Sequence, residues 1–219
     1  MSYNRKHKSK ENFTSKKLFW WVIGIVLFYF FLKVGCDFKT ESSVGGYKAA
    51  IDNYGREIKI LAGQFDLPRD YLMAVIMLES SGRKDIPPRF EQSVYNKLKS
   101  VQDRKLATLE NITYDDIKDA SDDALRNLAS SWGPFQLMGY KCLHLDVKIK
   151  DLRGANSLYW GVYWIDKTYG SYLRKGRFED GFHIHNTGHP VPKNGKYKTY
   201  DKDYVKKGLE YMDYFKNNF

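Results

Sequence analysis

The chain has 219 residues, 36 Lys and Arg against 26 Asp and Glu, and a formal net charge of +10. A hydrophobic fraction of 42% with 16% aromatics can build a core, which excludes wholesale disorder, and the length suits one domain with an appendage. Two Cys exclude a disulfide scaffold and a Cys-rich zinc module, and a mean hydropathy of -0.57 excludes a polytopic membrane protein.

Residues 1–17 hold Arg5, Lys6, Lys8, Lys10, Lys16 and Lys17 against Glu11 alone, so half of the net charge lies in this tail. Residues 18–32 follow as an unbroken apolar run, LFWWVIGIVLFYFFL. As a helix that run spans about 22 Å, and extension to Cys36 brings it to about 28 Å, near the roughly 30 Å hydrocarbon core. Lys17 and Lys33 can snorkel, and Trp20 and Trp21 fall near one end, where indoles favour the interface. The reading is a basic cytoplasmic tail (1–17), then an N-terminal transmembrane helix (18–36) in a bacterial cytoplasmic membrane. Everything after it lies on the periplasmic or extracytoplasmic side. Bulky rings and the lack of an Ala-x-Ala site disfavour a cleaved leader. Val34-Gly35-Cys36 resembles the end of a lipobox, but Lys33 stands where that motif wants Leu, so lipidation at Cys36 ranks second. With the tail charge assigned to topology, the rest is an ordinary basic domain, and a nucleic-acid partner loses support.

Residues 37–46 are small and polar and read as a linker, and 47–219 as one mainly α domain. Ile51, Tyr54, Ile58, Leu61 and Phe65 predict a helix over 47–65. Asp66-Leu67-Pro68 opens a second helix, with Pro in its first turn, that ends near Gly82. Residues 83–112 read as a long excursion with a short hairpin. Thr113 with Asp115 and Asp116 starts a third helix reaching about Ser130. Residues 156–169 and 201–215 also read as helical.

Glu79 is the most informative position. Leu72, Val75, Ile76 and Glu79 share one helix face, so a carboxylate ends an apolar stripe. It also lies in a last turn, where the helix dipole disfavours negative charge. Both effects oppose ionisation, and a protonated carboxyl beside a cleft is what glycosidic cleavage needs of its general acid. An exposed helix-end Glu is the competing reading of the spacing.

The string Ala74-Val75-Ile76-Met77-Leu78-Glu79-Ser80-Ser81-Gly82 resembles the "ES" helix of the lysozyme-like superfamily, which includes lytic transglycosylases, goose-type lysozymes and N-acetylmuramidases. In the family's order follow Ser131-Trp132-Gly133-Pro134-Phe135-Gln136-Leu137-Met138-Gly139, the helix from Asn156 through Gly161 to Ile165, and His185-Asn186-Thr187-Gly188. Arg89-Phe90-Glu91 looks most like the N-acetylmuramidase branch. The resemblance implies an α+β lysozyme-like fold and cleavage of the β-1,4 bond between N-acetylmuramic acid and N-acetylglucosamine, with no cofactor. It implies Glu79 as catalytic acid and Ser80 as its fixing neighbour. It places Trp132, Phe135, Gln136 and Met138 along the sugar cleft, and His185, Asn186 and Gly188 beside the acid. His185 stands where the family has Tyr, and a cationic ring there would weaken the acid. Glu91, then Asp85, are the candidates for a second carboxylate. The competing reading pairs Glu91 with Arg89 or Arg83, and a lytic transglycosylase needs no such group.

His183, His185 and His189 raise the question of zinc, since His-Ile-His in an extended segment would point both rings to one face. No neighbouring Asp or Cys completes a ligand pattern, so no metal is assigned. Tyr159, Trp160, Tyr163 and Trp164 crowd one helix and are expected mostly in the core, with Trp132 the better cleft residue. The expected partners are peptidoglycan glycan strands and the membrane, and tethering suggests an envelope-spanning assembly. The rival function is a non-catalytic wall-binding or scaffold protein that keeps the fold.

Overall fold

The computed structural model describes residues 45–219. The predicted tail, membrane span and most of the linker lie outside the described residues. Among those described, no helix is long and apolar enough to cross a membrane.

Helix α1 starts at Tyr47–Ala50, widens into a π-turn at Ile51–Gly55 and continues as Arg56–Phe65. Ala50, Tyr54, Ile58, Leu61 and Ala62 form its buried face, the stripe expected of an amphipathic helix. Helix α2 (Arg69–Ser80) is capped by Pro68, which sits one step before the first turn where the sequence pattern placed it. Every residue from Tyr71 to Met77 is buried, so α2 is the central helix. It stops where Ser81 and Gly82 turn left-handed, at φ 53° and 73°. A Cβ on Gly82 would lie 2.6 Å from the Ala50 nitrogen, so this turn needs glycine for both its φ and its approach to α1.

Residues 83–112 are more ordered than an excursion. Strand β1 (Arg89–Phe90) leads into helix α3 (Gln92–Gln102), whose Leu98 and Val101 are fully buried. The predicted third helix is two pieces, α4 (Tyr114–Ile117) and α5 (Asp122–Leu128). The break has a cause: Thr113 and Asp116 form a capping box for α4, and the Ser121 hydroxyl accepts from the Ala124 N–H at 3.2 Å to start α5 afresh. Strands β2 (Ser130–Trp132) and β3 (Leu137–Met138) complete an antiparallel sheet of order β1-β2-β3, pairing Arg89 with Ser131 and Ser131 with Met138. The short hairpin expected within 83–112 is a tight one, with Leu109 and Ile112 exchanging backbone hydrogen bonds at 3.0 and 2.8 Å, while β1 pairs with a distant segment. Helices α6 (Lys141–Leu145), α7 (Ile149–Arg153), α8 (Ser157–Leu173), α9 (Phe178–Thr187) and α10 (Tyr204–Asn218) follow.

Two apolar clusters form the core. One joins α1, α2, α8, α9 and α10, with α10 lying along α2. The other joins α3 through α7 with the sheet. Helix α8 serves both, its Leu158, Val162 and Ile165 facing the first and Trp160, Tyr163 and Trp164 the second. The crowded aromatics of α8 are therefore half-buried packing, as expected. The result is a mainly helical α+β domain with one small sheet.

Candidate active site

Glu79 sits in the last turn of α2, above the wholly buried Leu72, Val75 and Ile76. Its side chain surfaces at the edge of the first core, 19% exposed. Because α10 lies along α2, the Tyr204 hydroxyl reaches Glu79 and donates to Oε1. Burial, with the Glu79 carboxyl adding to it, raises the Tyr204 pKa well above its ordinary value. The phenol therefore stays a donor across the whole working pH range.

His185 comes from the last turn of α9, its Nε2 3.9 Å from Glu79 Oε1 and its side chain 8% exposed. Nε2 lies 3.2 Å from the Phe135 carbonyl, and Nδ1 lies 2.6 Å from the Tyr169 hydroxyl. A carbonyl can only accept, so Nε2 carries the ring proton, and Nδ1 accepts from Tyr169. Burial lowers the His185 pKa, against the raising effect of Glu79. The ring is thus neutral near pH 7, and the weakening expected of a cationic ring beside the acid does not arise. Tyr169 is itself raised by burial and remains a donor.

The other predicted residues divide by environment. Ser80 is buried, and its hydroxyl donates back to the Ile76 carbonyl at 2.7 Å, bracing the helix end. The Phe135 ring is core rather than cleft, 1% exposed and packed where Gly161 leaves room; only its carbonyl reaches the site. Gln136 adopts a left-handed φ of 48° and spends both ends of its amide on the turn, accepting from Ser131 at 2.7 Å and donating to Gly133 at 3.0 Å. Met138 packs against the second core. Asn186 is exposed, and Gly188 closes α9 at φ 79°. Trp132 donates its indole N–H to the Asn127 carbonyl at 2.9 Å and walls a cleft of about 570 Å³ beside α7. Glu79 is not among the residues lining that cleft.

Glu91 is held by Arg89, with Nη2 2.6 Å and Nε 2.7 Å from Oε1, which is the pairing weighed against a catalytic role. Asp85 is exposed on the segment between α2 and β1. The histidine segment is helical, not extended. His183 and His185 stand two apart on α9, so their rings do not share a face. His183 is buried and works as a staple: Nδ1 meets the His189 carbonyl at 2.7 Å, and Nε2 accepts the Lys198 N–H at 3.0 Å. Among the described residues, no group of three His, Cys, Asp or Glu is arranged to hold a metal.

Sequence reasoning missed Tyr204 and the bonding role of Tyr169. A tyrosine opening an apolar helix face is the only local sign of Tyr204, and its partner lies 125 positions away.

No family model matches the chain, and no curated protein does. Among solved structures, the chain is similar to the crystal structure of Burkholderia AP3 phage endolysin, over 74% of this chain and 71% of that one, with a TM-score of 0.49 and 16% identity. A likeness at that level transfers neither a name nor a chemistry to this chain.

Proposed function

We propose that the chain is a peptidoglycan-cleaving glycosidase with Glu79 as general acid, held outside the bacterial cytoplasmic membrane by residues 18–36. The observation that supports this best is the Glu79 carboxyl itself. It ends a buried stripe, surfaces at the core edge, and is fixed by Tyr204 and faced by a neutral imidazole. The ordered motif resemblance around Glu79, Gln136 and His185 supports the substrate class.

The geometry suits a stepwise proton transfer. Oε1 is occupied by Tyr204, while among the described residues Oε2 accepts no hydrogen bond, so Oε2 is the atom to hand over the proton. The proton passes to the glycosidic oxygen, the C1–O bond breaks, and the leaving sugar departs as an alcohol. An oxygen nucleophile then attacks C1 and returns its proton to Glu79. If the nucleophile is water, a second carboxyl is needed to guide it, and Glu91 would serve only once freed from Arg89. If it is the sugar's own 6-hydroxyl, Glu79 suffices, and the product is a 1,6-anhydro end.

The test incubates the full chain and its Glu79→Gln variant with purified peptidoglycan and weighs the soluble products by mass spectrometry. The expected result is release of muropeptides by wild type and a loss of at least about a thousandfold in the variant, the scale of losing acid catalysis. Equal release by both proteins would overturn the assignment. A 1,6-anhydro end lacks one water relative to a reducing end, so the same spectrum separates the two routes.

A further inference from the structure

The cleft beside α7 has a composition that the proposed acid chemistry does not use. One wall is α1, through Asn53, Tyr54 and Glu57; another is Lys84 and Ile86 from the segment after α2. Trp132, Gly133 and Pro134 form the third, and Lys150, Arg153 and the start of α8 close it. Three cationic side chains and one carboxylate thus line a space of about 570 Å³ with Tyr54 and Trp132 as its aromatic walls. Lys150 and Arg153 are three apart on α7 and so share a face. Both are exposed, and neither side chain has a hydrogen-bond or ion-pair partner among the described residues. The Arg153 guanidinium lies 5.4 Å from the Trp132 ring centroid, which orients it without using its N–H donors.

Two short segments tie this cleft to the acid. The chain from Glu79 through Gly82 to Lys84 runs from the carboxyl into the cleft wall, held to α1 by Asn53 donating to the Gly82 carbonyl at 2.8 Å and Tyr54 to the Arg83 carbonyl at 2.6 Å. The turn after β2 gives Gly133 and Pro134 to the cleft and the Phe135 carbonyl to the His185 ring. A ligand in the cleft is therefore within a few extended residues of the acid, at about 3.3–3.6 Å each.

We propose that this cleft binds the carboxylate-bearing peptide stem of the strand being cut, with Lys150 and Arg153 as its anion-binding pair and Trp132 as the apolar floor. This rests on the glycosidase reading. The stem hangs from the N-acetylmuramic acid whose bond is broken, so it starts at the catalytic position. Its carboxylates match Lys150 and Arg153, and Glu57 on the facing wall suits the amine of a diamino residue. The excess of positive lining also draws an anionic stem in ahead of a neutral glycan.

The experiment measures binding, so that cleavage does not enter. Full-length Glu79→Gln protein is titrated calorimetrically with a synthetic N-acetylmuramyl peptide bearing free carboxylates, and with the same compound amidated. Expected is a binding loss of roughly tenfold on amidation, and the same loss when Lys150→Gln and Arg153→Gln are added, since two exposed charge pairs are removed. In the variant, amidation should then make no further difference. Equal affinity for the two compounds, or unchanged affinity in a double variant that melts like its parent, would overturn the proposal. So would tighter binding of a glycerol phosphate oligomer, which would assign the cleft to a different polymer. If Glu79→Gln leaves peptidoglycan release intact, the glycosidase reading fails; if it abolishes release while the stem compound does not bind, only the stem site fails.

Discussion

Gly161→Ala should damage the core where Phe135 is seated. In α8 the added Cβ would lie 2.2 Å from Phe135 Cδ2 and 3.1 Å from Cε2 and Cγ. The ring is 1% exposed and enclosed by the first core, so it cannot move outward to solvent. Overpacking of this kind costs about 1–3 kcal/mol, and a contact this short against a buried ring belongs at the upper end. Alanine recovers about 1 kcal/mol through helix propensity, leaving a net loss of about 2 kcal/mol. For a domain of this size that lowers Tm by about 4–8 °C. The paired control is Gly63→Ala on α1, where nothing lies within 4 Å of the new Cβ. There the same chemical change should stabilise by about 0.5–1 kcal/mol. Thermal unfolding followed by circular dichroism at neutral pH compares the two. A Gly161→Ala protein as stable as wild type would refute the claim that Phe135 is held against α8 without slack.

Tyr204→Phe keeps the ring but removes the donor to Glu79, and a hydrogen bond to a carboxylate near the core is worth about 1.5 kcal/mol. Lytic rate should fall by about tenfold, read as kcat on a soluble muropeptide, and an unchanged rate would remove Tyr204 from the site. Tyr71→Phe should leave stability unchanged or raise it by about 1 kcal/mol, because among the described residues the buried Tyr71 hydroxyl has no partner of hydrogen-bonding geometry; a clear loss in denaturant titration would show that the hydroxyl is bonded. The lowered pKa of His185 has a sign that can be checked. Unfolded His titrates near 6.5 and the folded ring below that, so the unfolded state binds more protons in the window between them. Stability is full above about pH 6.5 and declines as pH falls through the folded value. His144, also lowered mainly by burial, contributes in the same direction. His185→Gln should therefore flatten part of the slope and leave the part due to His144; an unaltered slope would show that His185 titrates normally.

What could be read from the sequence was whatever is local and periodic. The α1 stripe, the apolar α2 and the placement of Glu79 at its end all follow from 3–4 spacing, and they stand there in the structure. Helix α8 was legible for the same reason and runs on to Leu173. Helix α3 was missed because its charged and amide residues mask a stripe of Val94, Leu98 and Val101, a pattern detectable at i, i+4 and i+7. The β1 pairing was not legible at all, because Arg89 and Phe90 find their partners across some forty intervening residues in Ser130 and Ser131. The site divides the same way. The carboxyl could be placed from its own helix, but the tyrosines and the ring tautomer exist only once α9 and α10 have packed on α2.

The π-turn in α1 amounts to one residue more than a regular helix would hold between Tyr47 and Phe65. Removing a residue from Ile51–Gly55 would let the helix close up, and the segment before it would rotate by about 100°. Tyr47, stacked on Tyr214 at 3.7 Å between ring centroids, would swing off α10, and the Gly46 N–H would leave the Ser81 carbonyl it meets at 2.7 Å. The extra residue therefore sets the rotation at which Tyr47 and Gly46 meet α10 and the end of α2. A one-residue length change here, invisible to composition and nearly so to hydropathy, would undo both contacts at once.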